Sequence, residues 1–155
     1  NYANTPSSII WTASPTSTVV NVGTYEYVNR NSMLFYCWSE VDGYSKFGSF
    51  TGNGGSQEIT VGFRPALVAL KRTSNTSNWQ VFDATRNGGN PRNFALNWDR
   101  NADEMTNANM QFTDTGFNDN GWVSDSGQTI IYMAWADTRE AAFFKDLSKH
   151  NQHYK

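Results

Sequence analysis

The sequence is poor in residues that form covalent or metal crosslinks. It has one cysteine and two histidines among 155 residues, so no intrachain disulfide can form. Cys37 lies in the apolar run 33–38, where we expect a small buried side chain rather than a nucleophile. His150 and His153 lie near the C-terminus, and two imidazoles alone do not make a structural zinc site. We therefore expect no metal centre and no cofactor.

One loop does contain several oxygen ligands. Residues 114–121 read DTGFNDNG, and carboxylate and amide oxygens are the ligands that Ca²⁺ prefers. The segment lacks the spacing of an EF-hand loop. Asn, Asp and Gly also form tight turns without any ion, so turn formation explains the loop equally well.

Charge and long apolar runs are also scarce. Charged residues make up 17% of the chain, and 12 basic against 14 acidic side chains leave a net charge of -2. This near balance gives no electrostatic reason to expect nucleic acid as a partner. No apolar run approaches the roughly 20 residues of a membrane-spanning helix, so we expect no membrane insertion.

The motifs of several enzyme classes are missing. The sequence contains no G-x-S-x-G nucleophile elbow, no phosphate-binding P-loop and no G-x-G-x-x-G fingerprint. A glycosidase needs two carboxylates at a set separation, one of them with a raised pKa. The candidate carboxylates do not stand out as a pair by their spacing; they are Glu58, Asp83, Asp99, Asp103 and Glu104. We expect a protein that is not an enzyme.

Aromatic residues, by contrast, make up 15% of the chain, with Gly, Asn, Ser and Thr between them. This composition is typical of an all-β protein with many turns. The clearest pattern lies in 44–72. Residues 46–51 alternate in character, the Gly/Asn run 52–55 predicts a turn, and 57–62 resembles a half-buried strand. The apolar run 66–70 predicts a strand covered on both faces.

Further strands are predicted from alternation and from turn residues at their ends, and a set of apolar side chains is expected to form the core. The strands are 18–22, 32–39, 78–83, 93–98, 110–113, 121–124 and 129–136. The expected core residues are Phe35, Trp38, Phe47, Ile59, Leu67, Val68, Leu70, Val81, Phe82, Ile131, Met133 and Trp135.

Two segments of the chain resemble each other. Residues 32–42 and 129–139 share an apolar run, a tryptophan (Trp38 and Trp135), a small residue and an acid. The similarity indicates an imperfect duplication, in which the end of one repeat precedes a complete second one.

The C-terminal residues 139–155 change in character. They have good helix propensity, and Phe143, Phe144 and Leu147 fall on one helical face. We expect a short amphipathic helix followed by a polar tail.

Four blocks occur in a familiar order: YSKFGSFTGNG at 44–54, VGFRPALVALKR at 61–72, NWQVFD at 78–83 and IIYMAWAD at 130–137. Together they resemble the concanavalin-like (laminin-G-like) jelly-roll repeats of marine bacteriophage tail-fibre and other virion structural proteins.

The resemblance implies an all-β fold, an antiparallel jelly-roll sandwich, to which the residue pattern adds the short C-terminal helix. Residues 1–42 would be an N-terminal arm and the closing strands of a partial repeat, 43–138 the jelly-roll repeat, and 139–155 the helix and tail. The implied function is that of a virion module, in a tail fibre, head fibre or capsid decoration, and the missing catalytic motifs favour a non-enzymatic role. Its partners would be other virion proteins or copies of itself, and it would act in assembly or attachment to the host.

The alternative function is carbohydrate binding at a host surface. Trp79, Trp98 and Trp122 lie near strand ends, with Asp83 and Arg86 close to the first of them in the sequence. Exposed aromatic rings beside such polar groups are typical of sugar sites, although most tryptophans belong to a core or its rim. An enzyme that cleaves surface polysaccharide is the third and weakest interpretation.

Overall fold

The computed structural model describes residues 13–24, 34–73, 76–86 and 89–137. The chain divides into two compact units, Asn1–Trp38 and Ser39–Lys155. All named strands lie in the second unit, and no helix occurs among the described residues. The strands are β1 Ser45–Thr51, β2 Glu58–Thr60, β3 Pro65–Arg72, β4 Gln80–Asp83, β5 Leu96–Asn97, β6 Gln111–Phe112, β7 Gly116–Asn118 and β8 Thr129–Ala136.

The strands form two antiparallel sheets. A five-stranded sheet has the order β1-β8-β3-β4-β5, and a three-stranded sheet has the order β2-β7-β6. Met133 of β8 lies opposite Phe47 of β1 on one side and opposite Ala69 of β3 on the other. The expected all-β, antiparallel class is therefore confirmed. The expected helix at 139–155 lies outside the described residues.

The core lies between the two sheets. Val68 and Leu70 of β3 and Phe82 of β4 are buried from one side, and Phe112 and Phe117 of the small sheet are buried from the other. Phe117 also meets the ring of Tyr132 edge-on, with centroids 5.6 Å apart. Since alternate strand residues point to opposite faces, each sheet contributes one face to this core.

The core prediction was right for five residues of β2, β3 and β4 and wrong for the buried face of β8. Ile59, Val68, Leu70, Val81 and Phe82 are buried as expected, whereas Phe47 and Leu67 are half-buried. In β8 the buried side chains are Ile130, Tyr132 and Ala134, whereas Ile131, Met133 and Trp135 are half-buried on the opposite face. The physical reason is that β8 is apolar on both faces, so alternation does not distinguish them.

Residues 34–38 of the first unit also differ from the prediction. The expected strand 32–39 is not formed in its described part, residues 34–39, and Phe35 and Trp38 are exposed rather than buried. Cys37 is exposed as well. Tyr36 and Trp38 stack on each other with centroids 6.0 Å apart. Aromatic residues favour a strand only where its backbone pairs and its faces pack, so propensity alone was misleading here.

Other strand predictions were wrong in detail. Residues 18–22 contain one bridge residue, Val22, instead of a strand, and 121–124 contain no strand. Strand β7 lies in the segment that we interpreted as a turn. The expected strand 93–98 is reduced to β5, with Ala95 paired only to Met105 in an isolated bridge. Trp38 thus lies outside any strand while Trp135 lies in β8, and the origin of residues 1–42 in a preceding repeat stays a prediction.

We predict that Leu70→Ala lowers the free energy of unfolding by about 2–5 kcal/mol, because it leaves a cavity at a side chain that is 1% exposed. Leu67→Ala, in the same strand but on the half-buried face, should cost roughly 1 kcal/mol. Urea denaturation of both variants measures the difference. Equal losses would contradict the assignment of the core to one face of β3.

We also predict that Gly116→Ala is destabilising, at the upper end of about 1–3 kcal/mol for overpacking. A Cβ atom at Gly116 would lie 2.0 Å from the backbone oxygen of Ile59, which belongs to the paired strand and cannot move freely. Gly55→Ala is the matched control, since the nearest atom to its Cβ would be 3.8 Å away. Thermal melting of the two variants is the measurement, and a Gly116→Ala protein as stable as Gly55→Ala would refute the close approach of β2 and β7.

Candidate functional site

The face of the five-stranded sheet that points away from the core carries one apolar row that crosses all five strands. We call it the outer face. Its middle row consists of residues that lie opposite each other in register: Phe47, Met133, Ala69, Val81 and Leu96. Because cross-strand neighbours share a face, these side chains form one continuous apolar stripe.

The rows on either side of this stripe are partly apolar. On one side Trp135 lies opposite Leu67, and Leu67 lies opposite Asp83. The Trp135 and Phe47 rings meet edge-on with centroids 5.6 Å apart. On the other side Ile131 lies opposite Lys71. Within the stripe, Ala69 and Val81 are buried, Phe47 and Met133 are half-buried, and Leu96 is exposed.

Two of the predicted site residues meet at the β4–β5 end of the outer face. Trp79 and Trp98 have ring centroids 6.5 Å apart and an angle of 35° between their planes. The backbone N–H of Trp98 donates to the carbonyl oxygen of Trp79 at 3.2 Å, which continues the pairing of β4 with β5. Trp98 is 51% exposed, and neither ring belongs to the core.

A carboxylate and an ammonium group lie beside this pair. Sequence reasoning gave Asp99 only as a candidate catalytic carboxylate and missed Lys71. Asp99 accepts a hydrogen bond at 3.0 Å from the backbone N–H of Trp79 through Oδ1. Its Oδ2 lies 3.9 Å from Nζ of Lys71, which also donates to the carbonyl oxygen of Ser77. Asp99 follows Trp98 directly, and that adjacency was the signal available in the sequence.

The third predicted tryptophan lies elsewhere. The indole N–H of Trp122 donates to Oε1 of Gln80 at 2.8 Å. Gln80 is adjacent to Trp79 in the chain and is buried, so its side chain points to the opposite face of the sheet. Trp122, which is 36% exposed, therefore lies on the other side of the sheet and does not join Trp79 and Trp98.

Asp83 and Arg86 form an ion pair at the opposite end of β4, on the order of 13 Å from Trp79 along the strand. Oδ1 of Asp83 accepts from the backbone N–H groups of Thr85 at 2.9 Å and of Arg86 at 2.7 Å. The guanidinium of Arg86 donates to Asp83 and also to Glu104.

These contacts set the charge of Asp83. Partial burial disfavours the ionised carboxyl, but the hydrogen bonds from the backbone and guanidinium of Arg86 and from the Thr85 backbone outweigh it and lower the pKa. A general acid needs a raised pKa, so the Asp83 carboxylate is held in the form that cannot donate a proton at neutral pH.

The loop considered for calcium uses its carboxylates within the protein. Asp114 accepts from Nη1 of Arg64 at 3.0 Å. The buried Asp119 accepts from the backbone N–H groups of Gly121 and Val123, both at 3.2 Å, and from the hydroxyl of Ser124 at 3.1 Å. Across the described ranges, no three His, Cys, Asp or Glu side chains come together in a metal-binding group.

A family model described as Domain of unknown function (DUF7483) matches residues 1–139, and the chain belongs to this family. No curated protein and no solved structure matches the chain at a significant level. Within the part of the chain that the structure describes, no helix has the length and apolar character needed to cross a membrane.

We predict that Asp83→Asn lowers stability at pH 7 by about 1–3 kcal/mol, because the charged hydrogen bonds from Arg86 and Thr85 are weakened. The pKa of Asp83 is lower in the folded state than its ordinary value of 3.8. The ionised Asp83 carboxylate therefore stabilises the folded state above pH 3.8, and this stabilisation is lost as the pH falls through the pKa that Asp83 has in the folded state. The difference in unfolding free energy between wild type and variant should shrink below about pH 4.

The measurement is urea denaturation at pH 7 and at pH 3. Asp114→Asn is the control, since its side chain is 90% exposed in its ion pair with Arg64 and exposed pairs contribute little. A pH-independent loss in Asp83→Asn would show that its hydrogen bonds do not depend on the charge.

Proposed function

We propose that this member of the DUF7483 family is a non-enzymatic structural module of a bacteriophage particle, which acts in virion assembly or attachment to the host surface. The observation that carries the proposal is the apolar outer face of the five-stranded sheet. A complete core already lies between the two sheets, so the stripe from Phe47 to Leu96 is additional apolar surface. Ala69 and Val81 are buried in this stripe, Phe47 and Met133 are half-buried, and Leu96 is 37% exposed. Apolar surface that lies outside the core and reaches solvent at Leu96 supports contact with another molecule there.

The sequence resemblance supports the viral assignment. Three of its four blocks contain β1, β3 and β4 in order, and the fourth contains most of β8. We infer from the resemblance that the two antiparallel sheets are those of a jelly roll, and that the protein is a component of the virion. The partners in this proposal are other virion proteins or further copies of the chain.

The ion-pair network supports a non-enzymatic role. Asp83 and Glu104 are joined through Arg86, and the pKa of Asp83 is lowered. Glycoside hydrolysis requires one carboxyl with a raised pKa and a second carboxylate facing it across the substrate. Because the guanidinium of Arg86 bridges the two carboxylates, the pair supplies neither a protonated general acid nor a space between the carboxylates for the substrate.

Fractionation of particles tests the virion assignment. Lysates in which particles encoding this chain assemble are separated on a density gradient, and peptides from residues 39–137 are quantified by mass spectrometry. We expect these peptides in the fraction of filled particles. Their recovery only among soluble proteins would contradict the proposal.

We predict that Leu96→Lys lowers incorporation into particles several-fold. The substitution places a charge in the middle row of the outer face at a side chain that is 37% exposed, so the fold should be retained. Val41→Lys is the control, because Val41 is 50% exposed in the turn before β1 and lies away from that row. If both variants are incorporated equally and their melting temperatures are unchanged, the outer face does not act in incorporation into particles.

We further predict that the purified protein releases no reducing ends from host polysaccharide, as measured by a reducing-sugar assay over an extended incubation. Release that is abolished by Asp83→Asn or Glu104→Gln would favour the enzyme instead. Release that persists in both variants would point to a contaminating hydrolase.

A further inference from the structure

The Trp79–Trp98 pair differs from Trp122 in its contacts and exposure. The indole N–H of Trp122 is bonded to buried Gln80 and Trp122 is 36% exposed, whereas half of the Trp98 surface is open to solvent. An aromatic ring left in water forgoes the free energy that its burial would provide. Trp98, exposed beside the half-buried Trp79 at the end of the sheet, is therefore a candidate for contact with a ligand.

The geometry of the pair leaves ring surface available. Trp79 and Trp98 are neighbours across β4 and β5, so both side chains rise from the outer face. A centroid separation of 6.5 Å lies towards the upper end of the range for interacting rings, and the planes are only 35° apart. The rings thus cover little of each other and form one broad apolar platform at the edge of the sheet.

Fixed polar groups lie at the border of the platform. The Asp99 carboxylate is held by the Trp79 backbone N–H, and its other oxygen faces the Lys71 ammonium at 3.9 Å. The Asp99 side chain is 35% exposed and that of Lys71 is 16% exposed. One acceptor group and one donor group thus lie beside the rings, and their charges cancel.

We propose that Trp79 and Trp98 form a stacking platform for a neutral polysaccharide, with Asp99 and Lys71 as hydrogen-bond partners for its hydroxyl groups. A sugar ring has an apolar C–H face and polar hydroxyls around its edge, which matches rings bordered by a carboxylate and an ammonium group. The cancelled charges favour a neutral ligand over an acidic one. This inference rests on the proposed attachment function and names the chemical class of the host ligand.

The shape of the site indicates a polymer. Small-molecule sites are concave and enclose most of their ligand, whereas this platform lies on the open outer face at the end of a sheet. A polysaccharide chain can lie across an open surface and make further contacts along the row that ends at Leu96. Binding by one copy would be weak, and many copies on one particle would bind together with high avidity.

Affinity gel electrophoresis of the full chain tests the platform. The probes are soluble mixed-linkage β-glucan, xylan and galactomannan as neutral polymers, alginate as an acidic polymer, and a polyproline peptide as a non-sugar ligand. We expect at least one neutral polymer to retard the protein. Trp98→Ala should weaken that retardation about tenfold or more, and Trp98→Phe, which keeps an aromatic face, should retain most of it.

Tyr44→Ala is the matched control. Tyr44 is an exposed aromatic residue beside β1, at the opposite edge of the same sheet, so its loss should leave binding unchanged. Thermal melting establishes that each variant is folded before binding is compared.

The platform is refuted if no neutral polymer retards the protein or if alginate alone does. It is also refuted if the protein binds the polyproline peptide in place of sugars, or if folded Trp98→Ala binds as well as the wild type. The outcome is separable from that of the proposed function. A protein that is found in particles but binds no neutral polymer refutes the platform alone. A protein that binds through Trp98 but is absent from particles refutes the virion assignment alone.

Discussion

The two-sided pairing of β8 is the constraint on which the rest of the structure depends. Its backbone pairs with β1 on one side and with β3 on the other, so the five-stranded sheet cannot form without it. Ile130, Tyr132 and Ala134 supply one face of the strand to the core. The opposite face supplies Met133 to the apolar stripe, between Phe47 and Ala69. An interior strand that is apolar on both faces therefore creates two apolar surfaces, of which the small sheet covers one.

The sequence predicted the class and the main strands because those signals are local. Alternation and turn residues place β1, β3 and β4 within a few positions of their observed bounds. The buried face of β8 could not be predicted, because an apolar run carries no alternation to choose between its faces. Phe117 was missed because it lies among turn-forming residues, and its burial depends on pairing with Ile59 far away in the chain. The apolar segment 34–38 has strand propensity, yet propensity without a paired backbone does not make a strand.

Local sequence patterns predicted only part of the candidate site as well. Trp79 and Trp98 were identified as exposed aromatic candidates from their positions near strand ends, and the β4–β5 register brings them together. Trp122 looked equivalent in the sequence, but its bond to Gln80 is a long-range contact that assigns it to the other face. Lys71 reaches Asp99 only because β3 and β4 are neighbours in the sheet. Residue type indicates what a side chain can bind, whereas strand register decides which side chains act together.

The β1 edge bears on our proposal that the outer face contacts a partner. An unpaired edge strand invites association with other chains, and proteins commonly block such edges with charge. Here the Phe47 N–H, which points away from β8, donates to Oε1 of Glu40 at 3.2 Å, and Lys46 binds the other oxygen at 2.7 Å. The hydrogen bond from Lys46, followed by that from the Phe47 backbone, lowers the pKa of Glu40 and keeps the blocking group ionised. Charge thus protects the backbone edge at Phe47, while the side chain of the same residue begins an apolar stripe without a charged residue in it. A chain that blocks unwanted pairing at its edge but leaves the adjacent face apolar has the surface expected of a module that binds through that face.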